Sequence, residues 1–147
     1  RIRENMINNS KFEDPGEITS IKVKDRGDSG VTCCLEVKGS KKVVNVYNEY
    51  NIRAVLAPKD SEVTRKDGSK VPGSALLPSG FFVLEQSNDS YTIYGGGYGH
   101  GVGMSQNGTK QLVQNGKNYQ EILAHYYPGT TFSSVSAVAK IHSDSLQ

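Results

Sequence analysis

The feature of this sequence that most restricts its fold is a crowding of glycines in the second half. Seven of the 16 glycines lie between positions 95 and 108, around the run YGGGYGHGVGMSQ at positions 94–106. Glycine costs backbone entropy, so a run this dense indicates positions that need a positive φ or a close approach of another group. The spacing fits neither GxGxxG nor GxxxxGK[ST], which excludes a dinucleotide fingerprint and a P-loop.

Two interpretations of this run are open at the level of sequence. In the first, its bare backbone forms a binding surface with one imidazole, His100, followed by a helix whose first amides could meet a polar or anionic ligand group. In the second, the run is a tight β-bulge corner with a buried, hydrogen-bonded His100.

The overall composition points to no charged partner. The chain has 147 residues, the size of one domain, and a net charge of +2, which is too small to indicate nucleic acid or anionic lipid. No apolar stretch approaches the roughly 18–20 residues of a membrane span. We therefore expect no nucleic-acid partner and no membrane span in this chain.

The first half of the chain predicts a helix and then a strand meander. Residues 1–12 form a helical stub, and because it begins at Arg1 without an initiator methionine, we expect a processed or truncated piece. Residues 17–58 predict a meander followed by a short helix capped by Asn51. Residues 59–74 are polar and predict an exposed loop without core residues. The meander strands are predicted at Glu17–Lys24, Val31–Lys38 and Lys42–Tyr47.

The two cysteines are adjacent in the second predicted strand. Neighbouring side chains on a strand point to opposite faces, so Cys33 shares a face with Leu35, and Cys34 lies on the other. The two cannot pair comfortably with each other. We expect one buried and one surface thiol, with a vicinal redox or zinc pair as the alternative.

Residues 75–142 predict a hairpin, the glycine-rich segment, two helices and a closing strand. The hairpin arms are Phe81–Glu85 and Tyr91–Tyr94, and the first helix covers 105–114. Asn118 and Glu121 form a capping box for the second helix. We thus expect residues 1–147 to be one domain fragment of the α+β class, mostly antiparallel sheet with a few short helices. The closing strand would include Phe132, Val135, Ala137 and Ile141.

Several polar residues invite a chemical interpretation. Ser105 lacks the last glycine of the GxSxG nucleophile motif and is better explained as a helix N-cap. A zinc site built from His100, His125 and a cysteine has no recognised ligand spacing, so no metal is predicted. The segment His125–Tyr127 has two interpretations. Either His125 stabilises the C-terminal end of its helix as a cation beside the dipole, or the segment offers a platform on which sugar rings stack. Three carboxylates remain as candidates. Glu49 and Glu85 are better explained as residues on the faces of strands, and Glu121 as part of its capping box.

Two segments resemble the signature of the stage II sporulation protein D and amidase-enhancer family of bacterial cell-wall proteins. Gly95–Gly108 matches the family pattern GxG[WY]GHGVGMSQxG, and Gly116–Thr130 matches Gxx[YF]xxILxHYYPGT. Similarity extends upstream to Asn51–Leu56 and Leu77–Phe81. The chain departs from the family at three positions, because tyrosine and asparagine replace common tryptophans and threonine replaces a usual alanine: Tyr98, Asn107 and Thr109.

The resemblance implies an activity. The family's sporulation enzymes are peptidoglycan lytic transglycosylases, which break the β-1,4 bond between N-acetylmuramic acid and N-acetylglucosamine and leave an anhydro sugar. A single glutamate can act first as acid and then as base. The family's glutamate segment, VPLEEYVxGVVxxEM, does not occur in this sequence, so the resemblance makes this chain the C-terminal part of a larger domain and identifies no catalytic residue in it. No cofactor and no metal are expected. The resemblance places five residues on the wall of the glycan cleft, the first as a stacking ring: Tyr98, His100, Gly101, Ser105 and Gln106.

The resemblance favours one function and leaves an alternative. We expect a part of a peptidoglycan lytic transglycosylase of the sporulation protein D type, active only when joined to an N-terminal half. The alternative is a non-catalytic peptidoglycan-binding or amidase-stimulating module. The implied partners are peptidoglycan glycan strands and, for the alternative, a cell-wall amidase. The implied location is extracytoplasmic, in the bacterial cell envelope. A third interpretation is a structural domain whose glycines only turn corners.

Overall fold

The structure, a computed structural model, describes residues 1–9 and 11–133. In this part the paired strands run antiparallel and are combined with short helices, which confirms the predicted α+β class. The chain forms two units, Arg1–Gly101 and Val102–Gln147. The helices and strands of the first unit are α1 (Ile2–Asn8), β1 (Ile18–Arg26), β2 (Thr32–Gly39), β3 (Val43–Tyr47), α2 (Glu49–Val55), β4 (Glu62–Thr64), β5 (Lys70–Pro72), β6 (Phe81–Ser87) and β7 (Ser90–Gly96).

The core of the first unit lies on one face of the β1–β2–β3 meander. β2 is the central strand and pairs with β1 and β3. Leu35 and Val37 of β2 are fully buried, as are Val46 of β3 and Ile52 and Val55 of α2. Burying an aliphatic side chain contributes about 1.5–3 kcal/mol, so these five residues fix α2 against the meander.

The alternation predicted for β2 breaks at Cys33. Asp25 pairs with Cys34 and Arg26 pairs with Thr32, so Cys33 is an extra residue in a β-bulge. The bulge turns Cys34 inward, where it is buried, and leaves Cys33 partly exposed. Both thiols are free. The prediction of one buried thiol is confirmed, whereas the other, predicted at the surface, is partly exposed. The buried one is Cys34, because a bulge reverses the two faces.

The short helix after the meander begins three residues earlier than predicted. Asn48 is the N-cap, and its side chain accepts a hydrogen bond of 3.0 Å from the backbone N–H of Tyr50. Asn51, the predicted cap, lies inside α2. Both asparagines suit a cap by residue type, but Asn48 occupies a turn with φ of 72°, which asparagine tolerates better than most residues.

Residues 59–74, predicted as a loop, contain the small hairpin β4–β5. Its turn is held by Asp67, whose carboxylate accepts hydrogen bonds from the backbone N–H and the hydroxyl of Ser69, at 2.9 and 2.7 Å. The loop prediction is wrong because three-residue strands are too short for an alternating pattern to be visible. The residues of this segment are exposed or partly exposed, as predicted.

β6 and β7 form the predicted hairpin, with a two-residue turn at Asn88 and Asp89. The pairing continues to Gly96, which lies opposite Phe81, so the first glycines of the run belong to a strand and not to the loop after it. On the other side of the hairpin, the Tyr91 hydroxyl accepts a hydrogen bond of 2.9 Å from the backbone N–H of Ile21. This bond ties the hairpin to β1.

The second unit begins with two capped helices, α3 (Gln106–Gln114) and α4 (Tyr119–Tyr126). The capping box predicted for α4 is present, because Asn118 accepts from the Glu121 N–H at 3.0 Å and the Glu121 carboxylate accepts from the Asn118 N–H at 3.0 Å. The predicted closing strand, with Val135, Ala137 and Ile141, lies outside the described residues.

Candidate functional site

The glycine run at the end of the first unit needs glycine for its backbone conformation. Gly97, Gly99 and Gly101 have φ values of +80°, +116° and +71°. Residues with a Cβ atom rarely adopt this region. Space is also missing at Gly101, where a Cβ would lie 2.5 Å from the ring of Phe81. The glycines of this run therefore belong to one defined backbone conformation and not to a flexible linker.

A segment just before β6 supports this path. Ser79 is buried, and its hydroxyl donates a hydrogen bond to the carbonyl of Gly96. The N–H of Gly99 donates to the carbonyl of Pro78 at 2.9 Å, and Ser79 and Gly99 form a parallel bridge. The backbone is thus held on both sides of Tyr98.

Arg53 of α2 in turn positions the supporting segment. Its Nε donates to the carbonyl of Leu77 at 2.8 Å, its Nη2 to the carbonyl of Pro78 at 3.4 Å, and its Nη1 to Glu49 Oε2 at 2.9 Å. The side chains of Arg53 and Glu49 are only 13% and 20% exposed, so water screens this ion pair less than a surface pair. Because the Pro78 carbonyl accepts from both Arg53 and Gly99, α2 is linked directly to the glycine run.

Sequence reasoning missed Arg53, Ser79 and Glu49 as parts of the site. The available signal was the family similarity in Asn51–Leu56 and Leu77–Phe81. By pattern alone an arginine in a helix and a serine before a strand are ordinary surface residues, and only the fold brings them together. Glu49 was predicted on a strand face, and this prediction is wrong. The residue is the first of α2, which begins earlier than predicted.

Three of the five predicted site residues lie on the glycine run of the first unit. Tyr98 is 95% exposed, His100 is exposed, and Gly101 lies so near the ring of Phe81 that a Cβ there would overlap it. The interpretation of His100 as a buried corner residue is wrong. The backbone N–H of Gly99, next to it, makes the inward contact with the supporting segment by donating to the Pro78 carbonyl.

The other two predicted residues, Ser105 and Gln106, lie in the second unit at the start of α3. The Ser105 hydroxyl accepts a hydrogen bond of 3.1 Å from the Gly108 N–H, which confirms the predicted N-cap. As a cap acceptor it offers no support for a nucleophile. Gln106 is the first residue of the helix and is exposed. A place for this pair in a glycan cleft stays a prediction.

Two glycines of the second unit, Gly103 and Gly108, lie near tyrosine hydroxyls at the end of α4, and the contact requires glycine at Gly108. A Cβ on Gly108 would overlap the hydroxyl of Tyr126, and one on Gly103 would lie 3.6 Å from the hydroxyl of Tyr127. The Tyr126 ring packs edge-on against His125, with centroids 4.8 Å apart. His125 lies in the last turn of α4, where a cation favours the helix dipole.

Three carboxyl groups have pKa values below their usual range, which makes them poorer proton donors. A general acid for glycan cleavage requires the opposite shift. None of the three therefore suits that role. The causes are hydrogen bonds from Arg3 and Lys41 to Asp14, from the Ser69 hydroxyl to Asp67, and from Lys117 to Glu121.

Neither a metal centre nor a membrane helix is found in the described part of the chain. Within residues 1–9 and 11–133, no group of three or more His, Cys, Asp and Glu side chains could bind a metal ion. The helices of the same residues are too short or too polar to cross a bilayer.

Comparison with known proteins gives one family match and several relatives. A family described as Domain of unknown function (DUF8618) matches residues 1–103. The chain is 34% identical over 110 residues to the amidase enhancer of Bacillus subtilis (strain 168), a match that covers 74% of this chain and 15% of that protein. It is 39% identical over 61 residues to stage II sporulation protein D of the same organism, covering 42% of this chain and 18% of that protein. For stage II sporulation protein D of Bacillus amyloliquefaciens, the identity is 34% over 76 residues, covering 48% and 22%. The chain thus spans less than a quarter of each of these relatives. No solved structure matches it.

Proposed function

We propose a role in the bacterial cell wall, because the chain belongs to the family of the amidase enhancer and stage II sporulation protein D. Its residues 1–103 belong to the domain of unknown function DUF8618. In this proposal the chain is part of a peptidoglycan lytic transglycosylase of the sporulation protein D type. It supplies the wall of the glycan cleft, in the bacterial cell envelope. The acid that cleaves the glycan lies elsewhere in the complete protein.

The observation that carries this proposal is the pair of exposed rings on a hydrogen-bonded backbone. Tyr98 presents nearly its whole ring to solvent, and an aromatic face of this kind suits the apolar face of a sugar. The nitrogens of His100 can hydrogen-bond sugar hydroxyl and acetamido groups. Because Ser79 and Pro78 hold the backbone on either side, little additional ordering is required when a ligand binds.

Binding to insoluble peptidoglycan tests the proposal directly. In the full 147-residue chain, Tyr98→Ala and His100→Ala should each weaken binding about five- to tenfold, which is typical for the loss of a well-placed contact. Because both side chains are exposed, the free energy of unfolding should change by less than about 0.5 kcal/mol.

A matched control is Tyr47→Ala, which removes another exposed tyrosine, on β3. It should leave binding unchanged. Equal binding by all variants would show that the glycine run is not part of the proposed cleft. A large loss of stability in His100→Ala with unchanged binding would favour a structural role for the run.

The proposal that this chain does not supply the catalytic acid has its own test. Glycan strands incubated with the chain alone should gain no anhydromuramyl ends, as measured by mass spectrometry. The appearance of such ends would show that a carboxylate of this chain is catalytic.

A second candidate function is a non-catalytic module that binds peptidoglycan and stimulates an amidase. The observation that favours it is the match of 74% of the chain to a protein named amidase enhancer. Added to a cell-wall amidase, the chain should then speed the release of stem peptides, and Tyr98→Ala should reduce this effect. No change in the release rate would exclude this second function.

A further inference from the structure

A groove of about 310 Å³ lies beside the glycine run in the first unit. Its lining includes Gly95–Gly97 and Ser79, and therefore the backbone that leads directly to Tyr98. Apolar side chains such as Phe81 line it as well. The β4–β5 hairpin contributes Arg65 and Lys66.

The charge of this groove is one-sided. Arg65 and Lys66 are its two charged lining residues, and no acidic residue lines it in the described part of the chain. Of the acids in the same hairpin, Glu62 pairs with Lys70 at 2.9 Å, and the Asp67 carboxylate keeps its charge and accepts hydrogen bonds from Ser69. Neither of them lines the groove. Among the described residues, neither Arg65 nor Lys66 takes part in an ion pair. Two adjacent cations in a groove lined by no acidic residue attract an anionic group and bind it with charge-assisted hydrogen bonds.

We propose that this groove binds a carboxylate of peptidoglycan, with Arg65 and Lys66 as its counter-ions. The inference rests on the proposed function, and it extends the site from Tyr98 along the glycines of β7. Glycine lets a ligand approach the backbone closely, and the apolar lining suits the carbon skeleton that bears the acid. In peptidoglycan such a carboxylate belongs either to the stem peptide or, where the peptide has been removed, to the lactyl group of N-acetylmuramic acid.

The test compares two double variants of the full chain. Arg65→Gln with Lys66→Gln removes the groove cations, and Lys22→Gln with Lys38→Gln removes two exposed lysines from the meander. Each pair lowers the net charge from +2 to 2 − 2 = 0, so a non-specific charge effect would appear in both. All four positions are exposed, and circular dichroism verifies that both variants fold.

Three preparations of insoluble peptidoglycan serve as probes: intact, stripped of stem peptides by an amidase, and with its carboxylates amidated. The groove variant should bind carboxylate-bearing peptidoglycan about three- to tenfold more weakly than the wild type, and the meander variant about equally to it. Amidation should weaken the wild type by the same factor and leave the groove variant unchanged. A difference that persists on the stripped preparation assigns the lactyl carboxylate, and one that disappears assigns the stem peptide.

Two results overturn the inference in distinguishable ways. If the groove variant binds like the meander variant while Tyr98→Ala still weakens binding, the groove has no such role and the proposed function stands. If the wild-type chain does not bind peptidoglycan in any of the three forms, both the inference and the proposed function fail.

Discussion

At the scale of single residues, a substitution at Gly101 tests how strictly the glycine run requires glycine. It combines a φ of +71° with a Cβ position 2.5 Å from the Phe81 ring, so alanine there must both adopt a strained backbone and displace the ring. Gly101→Ala should reduce the free energy of unfolding by about 1–3 kcal/mol, measured by denaturant titration.

The matched substitution for this test is Gly96→Ala, in the same run. Gly96 lies in β7, and nothing lies within 4 Å of its Cβ position, so alanine there should change the stability by less than about 0.5 kcal/mol. Equal effects at the two positions would mean that the run does not follow the backbone path described.

Asp14 ties α1 to the meander in a way that depends on pH. Its two oxygens accept from Arg3 Nε at 2.7 Å and from a second Arg3 nitrogen at 2.8 Å, and Lys41 Nζ lies 2.6 Å away. These hydrogen bonds hold the pKa of Asp14 well below its usual range. The contribution of a carboxyl group with a depressed folded-state pKa is complete above the unfolded-state pKa, and it is lost as the pH falls below that value.

We therefore expect the stability difference between wild type and Asp14→Asn to be constant near neutral pH. It should shrink progressively below about pH 4, in thermal unfolding measured from pH 7 to about pH 2. The control is Asp28→Asn, in the exposed turn between β1 and β2, for which no such difference is expected. A difference for Asp14→Asn that grows on acidification would contradict the assigned ion pairs.

At the scale of helices and strands, the link from α2 to the glycine run rests on the shape of the arginine side chain. Arg53 reaches Glu49 and two carbonyls at once, whereas a lysine ammonium is a single point and cannot serve all three. Arg53→Lys should cost about 1–2 kcal/mol of stability. Hydrogen exchange of the Gly99 amide, which bonds to the shared carbonyl of Pro78, should become faster.

The amide of Gly27 provides the internal control for this exchange experiment. It donates to the Val31 carbonyl at 2.9 Å, in a turn that Arg53 does not contact through any of the hydrogen bonds above. Faster exchange at Gly27 and Gly99 alike would indicate general loosening of the unit. Faster exchange at Gly99 alone would establish Arg53 as a positioning residue for the run.

Elements with a strong local signal were predicted correctly, and those that depend on tertiary contacts were not. The capping box at Asn118 and the N-cap at Ser105 follow from side chains that bond to neighbouring backbone, so the local sequence is sufficient. The bulge at Cys33 depends on pairing between strands, and it changes the register without a signal in either strand alone. The choice of Asn48 over Asn51 depends on where the preceding strand ends.

At the scale of the whole molecule, the fold class could be predicted and the grouping of the site could not. Alternating strands and short capped helices indicate the α+β class by pattern. The five predicted site residues are close together in sequence, yet they divide between two units at Gly101 and Val102. The residues that position the run, Arg53 and Ser79, lie 45 and 19 positions before Tyr98. Only the fold connects them to the run, Arg53 through the Pro78 carbonyl and Ser79 through its hydrogen bond to Gly96.

The first unit contains nearly all the core of the described chain and should fold without the second. Among the described residues, the buried hydrophobic side chains lie before position 101 except for Ile122, and the family match likewise ends at residue 103.

A chain of residues 1–103 should therefore unfold cooperatively, with the circular dichroism of a β-rich protein. Its buried Cys34 should react with a thiol reagent more slowly than Cys33, as in the complete chain. A chain cut at residue 92, inside β7, loses the strand residues that pair with Phe81–Leu84, among them Ile93, which packs against the core, and it should fail both criteria. If residues 1–103 unfold without cooperativity and both thiols react at the same rate, the core of the first unit requires residues beyond 103.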